Sequence, residues 1–232
     1  MPAFLADYSK FYGTGERNAK GQSLDEFLEA YDAYKYKLPS CTCDAVIFSY
    51  KQQIQQDLKD LKILLVKRKN HPCIGYWALP GGFCNMEEDL ETSARRELEE
   101  ETGVVGLPME QIGAFGDYKR DPRARVITTA FMSIVEESQV AVEAADDAAD
   151  AGWCKVELIQ TSQTEDEEKI VTDYDLHIVN EEKALDSTAK IRHSVKKGII
   201  REEKLETLDS AMFLSDHPMI IAKGLMLLKE RM

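Results

Sequence analysis

Glu97, Glu100 and Glu101 fall close together in the stretch GGFCNMEEDLETSARRELEEETGV, which runs from Gly81 to Val104. At spacings i, i+3 and i+4 on a helix, their carboxylates project from one side. Each like-charged pair costs a helix about 0.2–0.5 kcal/mol. The nearby helix C-terminus, the negative pole of the macrodipole, adds to that cost. A hard divalent cation reverses the sign, because Mg²⁺ is held by a few carboxylates together with waters and substrate phosphates. Gly81 and Gly82 let the backbone ahead of the helix turn sharply and approach a ligand. Arg96, next to Glu97, can orient a carboxylate through paired hydrogen bonds. For ELEEE alone, a solvated glutamate-rich face is the competing reading.

The elements that must carry these groups follow from periodicity and punctuation. Leu90, Ala94 and Leu98 form one stripe of a helix from about Glu88 to Thr102, and Gly103 is its stop. CTCDAVIFSY (Cys41 to Tyr50) and LKILLVKRK (Leu61 to Lys69) read as strands, as do EQIGAFGDY and RVITTAFMSIVEE. Ser23 and Glu26 make a capping box for a short helix. Residues 1–38 read as an N-terminal arm with that helix, 39–156 as the core, and 157–232 as an extension on the same domain. In the extension, Glu157 to Lys169 reads as an acidic loop and VTDYDLHIV as a strand. KALDSTAKIRHSVKKG, REEKLETLDSAM and PMIIAKGLMLLKERM read as helical pieces, the last capped by Asp216. The mixture lacks strict β–α–β alternation, which points to an α+β fold with a mixed sheet.

Composition narrows the class. The chain has 232 residues, 44% of them apolar, enough for a sizeable core. A net charge of −13 argues against a general nucleic-acid or anionic-membrane binder. Five cysteines without CxxC spacing fit reduced thiols better than disulfides or zinc. With no secretory signal and no apolar run long enough to span a bilayer, a cytoplasmic protein is expected.

The full spacing is more specific than any of its parts. Gly82, Glu88 and the run Arg96-Glu97-Leu98-Glu99-Glu100-Glu101-Thr102-Gly103-Val104 fit G-x5-E-x7-R-E-U-x-E-E-x-G-U at every fixed position. This pattern is the Nudix box, and the sequence resembles a Nudix hydrolase. GYWALPGGF before the box and FGDYKRDPRARVITTAFMSIV after it resemble the ADP-ribose pyrophosphatase branch, with Ala124 where glycine is usual. ADDAADAGW and LSDHPMIIAKGL resemble the closing segments of that branch.

The resemblance implies an αβα sandwich and hydrolysis of a nucleoside diphosphate derivative, foremost ADP-ribose to AMP and ribose 5-phosphate. It implies Mg²⁺ or Mn²⁺ at Glu97, Glu100 and Glu101 with Gly81, and Arg96 orienting the glutamates. A further base can come from Glu143, Asp146 or Asp147, which can equally be loop or capping acids. Arg120, Arg123 and Arg125, with Tyr118, are the expected substrate contacts; structural ion pairs are the alternative for the arginines. Trp77 is expected in the core. The histidines show no ligand spacing. The same branch contains ADP-ribose-sensing transcriptional regulators, whose box is commonly eroded; here it is intact. A nucleoside diphosphate other than ADP-ribose is the remaining alternative substrate. A homodimer is also implied by the resemblance.

Overall fold

The computed structural model describes residues 4–142, 148–200 and 202–232, and the chain divides into two units, Met1–Pro39 and Ser40–Met232. In the first unit, α1 (Leu24–Ala30) starts at a reciprocal capping box. The Glu26 N–H donates to Ser23 Oγ (3.2 Å) and the Ser23 N–H to Glu26 Oε2 (2.7 Å). The hydroxyls of Tyr8 and Tyr12 both donate to Asp25 Oδ1, tying the preceding turn to the helix.

In the second unit the chain order is β1 (Ser40–Tyr50), β2 (Lys62–Arg68), β3 (Trp77–Ala78), β4 (Gly81–Phe83), α2 (Leu90–Thr102), β5 (Glu110–Phe115) and β6 (Val126–Glu136). Then come β7 (Ala148–Glu165), β8 (Lys169–Asn180), β9 (Leu185–Lys196), β10 (Glu203–Asp209) and α3 (His217–Arg231). The strands form one mixed sheet in the order β10-β9-β8-β7-β2-β1-β6-β5, with β3 on β2 and β4 on β1. β1 and β6 run parallel, in register from Ser40↔Val126 to Tyr50↔Glu136.

Alternation along β1 defines the layers. Ala45 and Ile47 join Leu98 of α2 and Val104 in one buried cluster. Val46 and Phe48 join Ile220, Ile221 and Leu225 of α3 in another. Period-2 geometry sends neighbours to opposite faces, so a fully apolar strand implies a helix on each side. Burying one such side chain contributes about 1.5–3 kcal/mol. The result is an α+β fold, an αβα sandwich around a mixed sheet, as expected. Trp77 is buried, also as expected.

The segment after residue 156 departs from the sequence reading. Glu157 to Glu165, expected as an acidic loop, continues β7, and the two segments from Lys183 and Arg201, expected as helices, contain β9 and β10. Leu185, Ser187, Ala189 and Ile191 are buried while Asp186, Thr188 and Lys190 are exposed. That is strand alternation, masked by the helix-favouring Ala, Lys and Leu. The distal half of β7 is polar and exposed, and it stays extended because it pairs residue by residue with β8. The turn between them is closed by Asp166 Oδ1, which accepts the N–H groups of Glu168 and Lys169. Among the described residues, α3 alone of the three expected C-terminal helices is present.

Candidate active site

α2 begins where Asp89 Oδ1 accepts the Thr92 N–H at 2.8 Å, and it stops at Gly103, whose φ of 72° is left-handed. Ser93, Ala94, Leu98 and Thr102 are its buried face; Leu90, expected on that stripe, is exposed in the first turn. With this face fixed on the sheet, Arg96, Glu97, Glu100 and Glu101 are carried on the remaining flank.

Arg96 organises that flank. Its Nε donates to both oxygens of Glu88 (3.0 and 3.1 Å), Nη1 to Glu97 Oε1 (2.7 Å) and Glu100 Oε2 (2.9 Å), and Nη2 to the Phe83 carbonyl (3.0 Å). Glu88 also accepts from Asn85 Nδ2 and Ser93 Oγ, so it braces the arginine. A Cβ at Gly82 would lie 2.4 Å from Glu97 Oε2, and one at Gly81 would lie 2.2 Å from the Cys43 carbonyl. The backbone contact makes glycine obligatory at Gly81, while a side chain at Gly82 would displace the Glu97 carboxylate. The Gly81 N–H donates to Glu101 Oε2 at 2.9 Å.

Electrostatics explain why the cluster is costly. Burial pushes the Glu101 carboxyl up to about 7, although the Gly81 N–H favours the ionised form and the Glu97 charge opposes it. Burial also raises Glu97, against the pull of Arg96. Among the described residues, no three acidic, thiol or imidazole groups are gathered closely enough to enclose an ion as they stand. In this arrangement Arg96 Nη1 is shared between Glu97 and Glu100. By donor chemistry the set fits a hard divalent cation: the candidate side-chain donors are carboxylate oxygens, under-compensated in charge, beside the Gly81 backbone, which only glycine allows.

These groups border a cavity of about 670 Å³, within the range of small-molecule sites. Lys67, Arg68, Lys119, Arg120 and Arg123 border it too, so it combines the acidic cluster with cationic side chains suited to phosphate. Arg120 is nearly fully buried and forked onto Asp216, Nε–Oδ2 2.9 Å and Nη2–Oδ1 3.1 Å, with Asp44 Oδ2 at 3.5 Å. Asp216, expected to cap α3, makes no side-chain cap bond, because its carboxylate is turned to this guanidinium. Arg123 is forked onto Asp121 and lies 5.3 Å over the Phe83 ring. Arg125 donates to the Gly116 carbonyl (2.8 Å) and, like the exposed Tyr118, does not border the cavity. Glu143, Asp146 and Asp147 lie outside the described residues.

Asp44, Arg68, Asp216 and His217 border the cavity without having been singled out for it from the sequence. Asp44 carried a readable signal, a lone acid in an apolar strand. Arg68 sits in the basic run VKRK at the end of β2. Thr42 borders the cavity, and its buried Oγ1 has no hydrogen-bond partner.

His217 Nδ1 accepts the Leu79 N–H at 2.9 Å, and burial holds its pKa below the ordinary value. The unfolded chain therefore takes up a proton that the folded one refuses. Stability should be full above the unfolded pKa of about 6.5 and decline as pH falls below it. Urea unfolding between pH 8 and pH 5 should show a steeper loss for wild type than for His217→Asn, which keeps an acceptor but cannot titrate. Parallel curves would contradict this.

The model of the NUDIX domain matches residues 48–174, and the chain belongs to the Nudix hydrolase family, in its ADP-ribose pyrophosphatase-like branch. Nudix hydrolases generally use divalent metal ions. An ADP-ribose pyrophosphatase of Methanocaldococcus jannaschii is 35% identical over 152 residues, 64% of this chain and 82% of that one. The ADPR responsive transcriptional repressor NtrR of Acinetobacter baylyi is 40% identical over 115 residues, 49% of this chain. The match spans 44% of that repressor, less than half its length. Among solved structures, a MutT/nudix family protein from Enterococcus faecalis superposes with a TM-score of 0.64 at 28% identity, covering 97% of this chain and 76% of the other. Among the described residues, no helix is long and apolar enough to cross a membrane.

Proposed function

We propose that this protein hydrolyses the pyrophosphate of a nucleoside diphosphate derivative, foremost ADP-ribose to AMP and ribose 5-phosphate, with Mg²⁺ or Mn²⁺. One observation carries the reading: Glu97, Glu100 and Glu101, disciplined by Arg96 and the Gly81 N–H, border the same cavity as Arg68, Lys119 and Arg123. Glu97, Glu100 and Glu101, with Gly81 shaping the site, would hold the cation once Glu97 and Glu100 exchange their shared Arg96 contact for it. Bound there, it supplies phosphate charge neutralisation and a lowered water pKa.

The chain's own residues do the rest. Arg68 and Arg123 present donor forks to the diphosphate, and Arg123 is pre-oriented by Asp121 and Phe83. A carboxylate takes the proton of the water that attacks phosphorus, and the P–O–P bridge breaks, leaving the two monophosphates. Glu97, Glu100 and Glu101 are candidates for that proton, as are Glu143, Asp146 and Asp147. Positioning and charge stabilisation account for the acceleration. The names of the two curated relatives, a pyrophosphatase for ADP-ribose and a repressor responsive to it, support ADP-ribose as the ligand.

The test is a panel of nucleoside diphosphate sugars and dinucleotides with Mg²⁺, read by chromatography. ADP-ribose should be cleaved best, releasing AMP. The 40% match to the repressor supports a second reading, an ADP-ribose sensor. Tight ADP-ribose binding without turnover, and salt-sensitive binding to duplex DNA, would establish that instead. A homodimer in the cytoplasm belongs to the same proposal. Light scattering should give twice the chain mass of 26.3 kDa, and a monomer would count against it.

A further inference from the structure

Near the glutamate cluster lies a buried polar assembly of five residues from four segments, with Asp44 at its centre. Thr128 of β6 donates its hydroxyl to Asp44 Oδ2 at 2.6 Å. Arg120 Nη2 stands 3.5 Å from the same oxygen while its fork is spent on Asp216, and His217 Nε2 stands 3.9 Å from Oδ1. Two buried carboxylates thus share one guanidinium, beside a histidine that burial keeps neutral. Such a charge arrangement is poor at stabilising a fold for its own sake, since apolar side chains of similar volume would do as well or better. Its geometry suggests another purpose.

The segment Leu79-Pro80-Gly81 is strapped to this assembly along its whole length. The Leu79 N–H donates to His217 Nδ1 (2.9 Å), the Pro80 carbonyl accepts the Ala45 N–H (2.8 Å), and Gly81 pairs with Asp44 across β1 and β4. Gly81 packs so closely on this aspartate that an added Cβ would lie 2.8 Å from Asp44 Oδ1 and 2.9 Å from its Cα. The N–H of that same glycine holds Glu101 Oε2. The chain of contact is therefore Thr128 to Asp44, Asp44 to the Gly81 peptide, and the Gly81 N–H to Glu101.

We propose that Asp44 is a positioning residue of this site: its carboxylate, fixed by Thr128 and Arg120, sets the Gly81 peptide and thereby where the Glu101 carboxylate stands. The proposal rests on the hydrolase reading, in which Glu101 holds the cation. Asp44 acts through Gly81 and Glu101, so its influence has to vanish when Glu101 can no longer bind the ion. Outer partners that orient ligands are worth about 10–100-fold in metal affinity.

The experiment is Mn²⁺ binding to the substrate-free protein, followed by electron paramagnetic resonance, for wild type, Asp44→Asn, Glu101→Gln and the double variant. Asp44→Asn should weaken Mn²⁺ at least about tenfold in the wild-type background and leave affinity unchanged in the Glu101→Gln background. Thr128→Val frees the Asp44 carboxylate without removing its charge. It should weaken Mn²⁺ in the same direction, by less, and it carries the test if Asp44→Asn does not fold. A structural role alone would lower Tm and leave Mn²⁺ affinity intact. Wild-type affinity in both folded variants, or additive losses in the double variant, would overturn the positioning role while the hydrolase reading stands. Absence of Mn²⁺ binding by wild type would overturn both.

Discussion

Glu101→Gln should lower the turnover of ADP-ribose by about 10²–10³-fold, the scale of losing one electrostatic contact aimed at transition-state charge. The fold should survive the change. Glutamine keeps the shape of the side chain and an acceptor for the Gly81 N–H, and it relieves a carboxyl that burial already pushes up to about 7. Tm in the absence of metal should accordingly hold or rise. Glu100→Gln should act in the same direction on turnover, from a more exposed position. A fall in rate with the protein still folded would assign the loss to the chemistry. An unchanged rate in either variant would mean that the carboxylates are wrongly assigned.

Arg120→Ala should have the largest effect on stability. The guanidinium is the shared partner of Asp216 and Asp44, and all three side chains are buried. Removing it leaves two carboxylates in a low-dielectric site with no opposing charge, a loss of about 3–5 kcal/mol. For a chain of this length each kcal/mol lowers Tm by about 2–4 °C. Arg123→Ala is the control. Its guanidinium is half-exposed and pairs with one carboxylate, Asp121, rather than two, so the loss should be smaller than at Arg120. Urea titration of both variants checks the contrast. Equal losses would show that the Arg120 site is open to solvent.

The glutamate site was legible because its determinants are local. The spacing of Glu97, Glu100 and Glu101 on one helix, the glycines before it and the stop at Gly103 are all fixed within Gly81 to Gly103. The capping box at Ser23 is local too, and it formed as read. The substrate side was less legible, since partners far apart in sequence decide it. Arg120 pairs with Asp216, 96 residues away, and Thr128 with Asp44, 84 residues away. No periodicity announces such pairs, and Asp216 looked like a helix cap for purely local reasons. β9 failed differently. Its alternation was present, but helix-favouring composition outweighed it until pairing with β8 and burial against α3 fixed the strand.

The most direct measurement is product analysis after incubating ADP-ribose and Mg²⁺ with wild type and with Glu101→Gln, each with and without a chelator. AMP and ribose 5-phosphate released by wild type alone, and lost on chelation, is the expected result. ADP-ribose left intact by wild type, or cleaved equally by Glu101→Gln, would contradict a pyrophosphatase centred on the glutamates of α2.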